Sequence, residues 1–568
     1  MRFPLPAHPT ANPSATAARF ITPHGIMAWA TSDVNGRLPL PVKCEVRKLR
    51  VQLASAPGGT TAWIIELYVN GAAVEGAKIE IKGGATEGQW VGVLKLAAQD
   101  NLSIRLTPVG EPAVASAGAG SAFTTTFETE GNVFFFGAGG NPSVSNAEAT
   151  NNFPYGINSA AWLAGGEEFQ VRAPIPGKFK LVALAADLSG SPGAAKSYTV
   201  AARVNGATNA LPVKIEGSSA AEGLATGSVQ LNPGDTLLLR CTPAGTPTAR
   251  SVRVGIAVEA ENLGETFALG ANFNTESATQ INYTYVDTLR TAAWSSGHAG
   301  IWQLRPSGLT FKNLYVEIGS PPEAGKGRLY QFTMKEVPQP LEVEIKGAAT
   351  KGSDTTHSFV TNGERLDFRS FPLTSPAIDF FGAHWGFVVI VPQPAEIEAN
   401  LSGSGSLAVD LRDVASIAAN IGGSGALNAG ADTPANLSAA LSGSGNLEAG
   451  VDTPASIAAH LSGAGSLSAD LSVPALIEAS LEGSGDLSVG LSACADLSAS
   501  LSGAGELSAG LEVLVTLIPG HGVAGQGSAN RANADVASSG SASAGVGAGG
   551  SASAKVTGNG SAIIGGEK

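Results

Sequence analysis

The residues best suited to catalysis or metal binding are few and lie far apart. The segment LSGSG from residue 401 has the outline of a nucleophile elbow, but it is one of six similar copies within a low-complexity region. Glu167 and Glu168 fall in a turn-like stretch, which favours surface carboxylates over an acid–base pair. The seven histidines are His8, His24, His298, His357, His384, His460 and His521. None of them has another histidine or a cysteine at the spacing of a metal site. The sequence therefore predicts no enzyme, no cofactor and no metal.

The composition argues against several classes of partner and environment. A formal net charge of −13 predicts no nucleic-acid binding, because phosphate contacts need clustered Lys and Arg. No apolar run reaches about 18 residues, which predicts no membrane insertion, and the first residues lack the apolar core of a secretory signal. Cys44, Cys241 and Cys494 lie far apart, so we expect buried free thiols and folding in a reducing cytoplasm.

The octapeptide RLTPVGEP at 105–112 returns as RCTPAGTP at 240–247, and both copies belong to a longer repeat. A more divergent third copy keeps a Trp, an "IKG" triplet, an Arg and a Pro at nearly constant spacing. From the Trp to the Gly of the triplet is 54, 55 and 53 residues, and from that Gly to the Arg is 22, 23 and 22. The repeated positions are Trp29, Trp162, Trp294, Arg105, Arg240, Arg369, Pro108, Pro243 and Pro372. These spacings predict three tandem domains of about 130 residues.

Each copy alternates apolar and polar residues between Gly, Asn and Pro punctuation, which predicts an all-β fold. We expect three β-sandwich domains of jelly-roll type at 16–130, 131–262 and 263–392, after an N-terminal arm at 1–15. The octapeptide is interpreted as a structural corner rather than a binding site, with its first Pro ending a strand. The Phe clusters at 134–136 and 380–387 are interpreted as core strands rather than a receptor platform.

A strict 20-residue repeat occupies the predicted region 393–516. Apolar residues and glycines alternate with polar residues, which is typical of β-strands with one buried face and is incompatible with a helix. The region has 14 acidic side chains and one basic one between 395 and 515, interpreted as a solubilising surface rather than a divalent-cation site. The repeat positions are Gly403, Gly423, Gly443, Gly463, Gly483, Gly503, Leu407, Leu427, Leu447, Leu467, Leu487 and Leu507.

Such a strand region cannot bury its apolar face alone, so it must coil on itself as a β-solenoid or intertwine with two further copies of the chain. With its alternating strands, Gly-containing turns and one bend per repeat, this region resembles the trimeric β-structured shafts of viral and bacteriophage fibres. It departs from the best-known animal-virus shaft, whose repeat is nearer fifteen residues. Residues 517–568 repeat every ten residues, and their alternation favours a continued shaft over a flexible Gly/Ser linker.

The resemblance implies a structural protein of a bacteriophage virion, assembled in the host cytoplasm. Our first hypothesis is a homotrimeric tail fibre or spike, a rigid spacer that presents the β-sandwich domains for host-surface attachment. Its partners would be other virion proteins of the tail or capsid and a host-surface glycan or protein receptor. One alternative is a capsid decoration or head fibre protein. An alternative of another class is a bacterial surface adhesin or filament with a self-coiled β-solenoid.

Overall fold

The structure is a computed structural model, and the chain forms two compact units, Met1–Pro392 and Gln393–Lys568. In the first unit it describes residues 1–118, 121–140, 143–158, 162–164, 168–206, 208–277, 279–290, 294–297, 303–304, 306–374 and 380–392. In the second it describes residue 393 and the strands from 395 to 566, given below. The described residues are almost entirely β-strands and loops, so the all-β prediction is confirmed.

The first copy of the repeat folds into two packed sheets. One sheet has the order β3-β1-β10-β5-β8, and the other has the order β2-β9-β6-β7 with β4 also on β9. A short helix α1 spans Asp33–Gly36, and a 3₁₀ helix spans Val114–Ala117. The strands are Arg2–Pro9 (β1), Arg19–Ile21 (β2), Gly25–Met27 (β3), Leu38–Pro39 (β4), Cys44–Gln52 (β5), Ala62–Val69 (β6), Ala72–Lys82 (β7), Glu87–Leu96 (β8), Asn101–Val109 (β9) and Ala122–Glu128 (β10).

The second copy repeats this plan. Its sheets have the orders β13-β11-β21-β16-β19 and β14-β12-β20-β17-β18, with β15 on β20 and a 3₁₀ helix at Glu168–Val171. The strands are Val133–Gly140 (β11), Thr150–Asn152 (β12), Ile157–Asn158 (β13), Leu163–Ala164 (β14), Ala173–Pro174 (β15), Phe179–Leu188 (β16), Gly193–Val204 (β17), Thr208–Gly217 (β18), Glu222–Leu231 (β19), Thr236–Ala244 (β20) and Val252–Ala260 (β21).

The third copy has the sheet orders β24-β22-β31-β26-β29 and β23-β30-β27-β28, with β25 on β30. The strands are Glu265–Glu276 (β22), Asn282–Thr284 (β23), Thr288–Arg290 (β24), Gln303–Leu304 (β25), Ser307–Ile318 (β26), Gly327–Met334 (β27), Val337–Lys346 (β28), Lys351–Asn362 (β29), Arg365–Pro372 (β30) and Phe380–Ile390 (β31).

All three copies have jelly-roll connectivity. Each copy has eight principal strands when β3, β4, β13, β14, β15, β24 and β25 are left out. When these eight are numbered in chain order, the two sheets of each copy run 1-8-3-6 and 2-7-4-5. Apolar side chains that alternate along the strands form one continuous buried core through the three copies. Strand β3 also pairs in parallel with β13, so one sheet of the first jelly roll continues into the second as a ten-stranded sheet.

The N-terminal residues, predicted to be a separate arm, contain a full strand of the first jelly roll. Strand β1 pairs antiparallel with β10 from Arg2 opposite Glu128 to Ala7 opposite Phe123. Phe3, Leu5 and Ala7 share one face and are all buried, whereas Arg2 and Pro4 on the other face are only partly buried. The intervening prolines obscured this period-two pattern, although a proline on the other parity leaves the buried face intact.

In the second unit, consecutive strands alternate between parallel ladders. The strands of the first ladder are Ala395–Ser402 (β32), Val414–Gly422 (β34), Asn436–Ser442 (β36), Ser456–Gly463 (β38), Leu476–Gly483 (β40), Asp496–Gly503 (β42), Leu514–Ile518 (β44), Arg531–Val536 (β45) and Ser551–Val556 (β47). Those of the second are Gly405–Leu411 (β33), Gly425–Ala431 (β35), Gly445–Val451 (β37), Ser466–Leu471 (β39), Asp486–Leu491 (β41) and Leu507–Gly510 (β43). Ser541–Val546 (β46) and Ser561–Gly566 (β48) form a further pair.

From Glu396 to Gly510 the pairing step of both ladders is one 20-residue repeat, and it falls to 18 residues between β42 and β44 and to 17 between β44 and β45. Leu441 lies opposite Leu461 in the first ladder, and Leu447 lies opposite Leu467 in the second. Strand β45 also pairs with β47 at a step of 20, twice the ten-residue sequence period of this region. Of the two windings that the sequence left open, the described strands follow the self-coiled β-solenoid, because each repeat pairs with the next repeat of the same chain.

Candidate functional site

The first two copies of the repeated motif contain a clamp of hydrogen bonds. It joins the turn after β6 to the start of β9 in the first jelly roll, and the turn after β17 to the start of β20 in the second. Asn70 donates from Nδ2 to Asp100 Oδ1 at 2.8 Å, and its Oδ1 accepts from the Asn101 backbone N–H at 2.8 Å. In the second jelly roll, Asn205 bonds Asp235 at 2.7 Å and the Thr236 N–H at 2.9 Å. The Val-Asn-Gly sequences at 69–71 and 204–206, and the Asp that stands five residues before each repeated Arg, therefore share a structural role in the first two copies.

The third jelly roll has the same clamp with different chemistry. Lys335 takes the left-handed conformation that Asn70 has in the first copy, with φ of 49° and 50°. Its backbone N–H donates to Arg365 O at 2.8 Å, as the Asn70 N–H donates to Asn101 O. Lys335 Nζ lies 3.6 Å from Glu364 Oε1, so an exposed ion pair replaces the amide–carboxylate bond. This clamp is hidden in the sequence because the third copy has Lys335 and Glu336 where the other two copies have Asn and Gly.

The repeated arginines lie on equivalent strands but have different partners. Arg105 makes an ion pair with Glu66 across the strand pair at 2.8 Å. Arg240 lies 3.4 Å from Glu168, and Arg369 donates to Gln331 Oε1 at 2.6 Å. Each arginine therefore makes a cross-strand or loop contact within its own jelly roll.

The repeated tryptophans are buried. Trp29, Trp162 and Trp294 are 9%, 7% and 8% exposed. Trp29 donates to Ala117 O at 3.1 Å and Trp294 to Asn274 O at 3.2 Å.

The octapeptide ends in a tight turn, and its first Pro lies inside the strand rather than after it. Pro108 is opposite Trp63, and Pro243 is opposite Tyr198. Pro372 is the last residue of β30. A Pro is accommodated there because β2 pairs only with residues 104–106 of β9, which leaves Pro108 with one partner strand. In the turn that follows, Gly110 and Glu111 both have positive φ, 68° and 55°.

A second repeated contact, which the sequence analysis missed, joins each jelly roll to the next. We call the contact between the first and second jelly rolls joint 1. Strand β4 lies against β16 and β21, and a Cβ atom on Gly255 would overlap the carbonyl oxygen of Pro39. Arg37 lies 3.7 Å from Asp187, which accepts from Arg253 at 2.8 and 3.1 Å. Burial raises the pKa of Asp187, while both guanidinium groups oppose that shift.

We call the equivalent contact between the second and third jelly rolls joint 2. Strand β15 lies against β22, β26 and β31, and a Cβ atom on Gly386 would overlap the carbonyl oxygen of Pro174. Arg172 forms a two-pronged ion pair with Glu317, at 2.5 and 3.2 Å. Glu317 stands opposite His384 in the sheet, as Asp187 stands opposite Arg253 in joint 1.

A sequence signal for these joints exists. The string Arg-x-Pro-x-Pro occurs at 37–41 and again at 172–176, with the same 135-residue offset as the octapeptide. Nothing in the string reveals that its arginine meets the following jelly roll, because the acidic partners lie 150 and 145 residues further along the chain.

Aromatic rings continue the contact between jelly rolls, and the prediction that the Phe clusters are core strands is confirmed where the structure describes them. Phe135 lies 5.1 Å from Phe3 and 4.8 Å from Phe127 between ring centroids. Phe134 and Phe136 both contact Phe267 of the third jelly roll, at 5.2 and 5.3 Å. Strand β11 thus provides rings to both of its neighbours.

In the second unit, the repeated leucines form one ladder. Leu407, Leu427, Leu447, Leu467, Leu487 and Leu507 are successive register partners. Gly463, Gly483 and Gly503 are likewise partners at the ends of their strands. Gly403, Gly423, Gly443 and Cys494 lie outside the described residues.

Within the part of the chain that the structure describes, no group of three or more His, Cys, Asp and Glu side chains could hold a metal ion. No helix among the described residues is long and apolar enough to cross a bilayer. Cys44 and Cys241 are buried free thiols, as predicted, and burial raises the pKa of each to about 12.

No family model and no curated protein matches this chain. Among solved structures, a chain from the atomic structure of Sulfolobus Turreted Icosahedral Virus is similar at 10% identity. The match covers 62% of this chain and 79% of that chain, with a TM-score of 0.13. A likeness of that size carries no argument about the function of this chain.

Proposed function

We propose that this protein is a non-enzymatic structural component of a virus particle, in the form of a bacteriophage tail fibre or spike. In this proposal the solenoid is a spacer, and the three jelly rolls are the domains presented for attachment to the host surface. The observation that carries the proposal is the register of the second unit, in which the strands between residues 416 and 491 pair in parallel at a constant step of 20 residues without a shift. Such uniform pairing suits a mechanical part rather than a site for chemistry.

The joints support the same function. At each joint an Arg of one jelly roll meets a buried carboxylate of the next, and one apolar core continues through all three jelly rolls, so the contacts resist relative movement of the domains. Three jelly rolls fixed to one another in this way are suited to presenting a binding surface of constant shape. The loops between strands are the proposed location for contacts with a glycan or protein receptor.

Co-sedimentation tests the particle assignment. Virus particles from a lysate that contains this chain are banded in a density gradient and analysed by quantitative peptide mass spectrometry. We expect the chain in the particle band at a constant ratio to the capsid protein. Recovery only from the soluble fraction would refute the virion assignment, and recovery from intact cell envelopes would favour the bacterial adhesin.

Light scattering on the full chain tests the proposed homotrimer. A trimer has a mass near three times 56.9 kDa, whereas a monomer has the single value. Because the described solenoid strands satisfy their pairing within one chain, a trimer would form by side-to-side packing rather than by exchange of strands. A monomer at micromolar concentration would contradict the trimer. It would favour the second candidate function, a bacterial surface adhesin or filament with a single-chain solenoid.

A further inference from the structure

Joints 1 and 2 share one design but differ in the residue that stands opposite the buried carboxylate. Both place an Arg of one jelly roll beside a buried carboxylate of the next. In joint 1 the cross-strand neighbour of that carboxylate is Arg253, which is charged at every accessible pH. In joint 2 the neighbour is His384, which titrates.

His384 is enclosed by joint 2. Its side chain is fully buried, and its ring packs edge-on against Phe169 of the preceding jelly roll, with ring centroids 4.8 Å apart. Its Nε2 lies 3.3 Å from the carbonyl oxygen of Gln170. Its Nδ1 is buried and has no hydrogen-bond partner among the described residues. A proton on Nδ1 would therefore bring an unsatisfied donor into the joint.

The charged groups around His384 leave little compensation for a second proton. Glu317 is the nearby carboxylate, but it already pairs with Arg172 at 2.5 Å and with Lys351 at 3.3 Å. Strand β22 presents Ala271 opposite His384. Glu168, on the same 3₁₀ helix as Phe169, is engaged by two arginines, Arg203 and Arg240. A protonated His384 would be the third cation around one carboxylate.

Burial accordingly lowers the pKa of His384 to about 4, from the usual value of about 6.5. A histidine with a depressed pKa in the closed state contributes stability that is present above pH 6.5. That contribution is lost as the pH falls toward 4, since the open state then binds a proton that the closed state does not.

We propose that joint 2 is an acid-sensitive contact that opens when His384 is protonated, whereas joint 1 stays closed. The third jelly roll then separates from the β15 segment of the second, while the first and second remain docked. The proposal is independent of the virion assignment, because it rests on contacts within residues 1–392.

Hydrogen exchange on the full chain tests this proposal. Protection factors, corrected for the intrinsic pH dependence of exchange, are compared at pH 7.5 and pH 5 for peptides 168–174 and 33–39. These peptides contain β15 of joint 2 and β4 of joint 1. Protection of 168–174 should fall by about 25-fold, as the two pKa values require, while protection of 33–39 stays constant. No change at 168–174, or an equal fall at both joints, would overturn the proposal.

Two variants assign the effect to the side chain. His384→Gln cannot titrate, so protection at 168–174 should become independent of pH. His384→Asn is a second variant that cannot titrate, so protection at 168–174 should be independent of pH in it as well. If wild type and His384→Gln respond alike, His384 is not the cause. If His384→Gln fails to fold, His384→Asn decides, and a wild-type fall in protection at 168–174 in that variant also overturns the proposal.

Discussion

Two glycines determine how closely the jelly rolls approach one another. Gly255 and Gly386 lie in the middle of strands β21 and β31, where a residue without a side chain ordinarily weakens a strand. Each lies where the carbonyl oxygen of a preceding Pro occupies the space of a Cβ atom. The cost to the strand is offset by close backbone contact at the joint.

We predict that Gly255→Ala and Gly386→Ala each destabilise the protein by about 1–3 kcal/mol, because the added methyl group forces the joint apart. Gly84→Ala is the matched control, since a Cβ there meets no atom within 4 Å. Scanning calorimetry should show a lower Tm for the two joint variants only. Equal Tm values for all three would contradict this account of the joints.

Burial also determines the reactivity of the thiols. The thiolate is the reactive form, and a pKa of about 12 leaves Cys44 and Cys241 protonated at neutral pH. We predict no maleimide labelling of either residue at pH 7.5 in the folded protein, and full labelling in guanidinium chloride. Peptide mapping identifies the sites. Ala73→Cys, at an exposed position, should react in the folded protein and serves as the control.

At the scale of elements, the sequence predicted the fold class and the repeats more accurately than the positions of individual strands and turns. Alternation and punctuation identified the sandwiches, but prolines at alternate positions concealed β1. The third clamp escaped notice because Lys335 and Glu364 replace an amide–carboxylate pair with an ion pair that performs the same task. The joints could not be predicted, because periodicity reveals buried faces and not which domain covers them.

The ladder register leads to a prediction about deletions. Removing residues 441–460 takes out one whole step, so Ile421 acquires Leu461 as its partner in place of Leu441 and the alternation is kept. Removing residues 441–445 shifts the following strands by an odd number and reverses their faces. We expect an unchanged strand signal in circular dichroism and a similar Tm for the first deletion, and for the second a weaker strand signal with loss of the second unit's thermal transition. Equal tolerance would contradict the paired ladders.

At the scale of the whole molecule, the first unit contains three domains with a shared interior. Phe135 belongs to the second jelly roll, yet its ring contacts two rings of the first. Phe332 is equally buried, and all its ring contacts among the described residues are with the third jelly roll. Substitutions at these two residues therefore distinguish the effect of contacts between jelly rolls from the effect of contacts within one jelly roll.

We predict that Phe135→Ala and Phe332→Ala both lower stability by about 3–5 kcal/mol, the usual cost of emptying a buried Phe site. Only Phe135→Ala should split the calorimetric transition of residues 1–392 in the full chain, because it removes contacts between two jelly rolls. A single transition in both variants would mean that the ring cluster does not couple the domains.

The parallel pairing of the second unit also sets a scale of length. Neighbouring strands in a ladder are about 4.8 Å apart, so each 20-residue repeat adds that distance, whereas an extended chain of 20 residues would cover roughly 66 Å. Height gained per residue is small, but it comes in uniform increments of about half a nanometre. A gene that gains or loses one repeat would adjust the reach of its product by about the width of one strand.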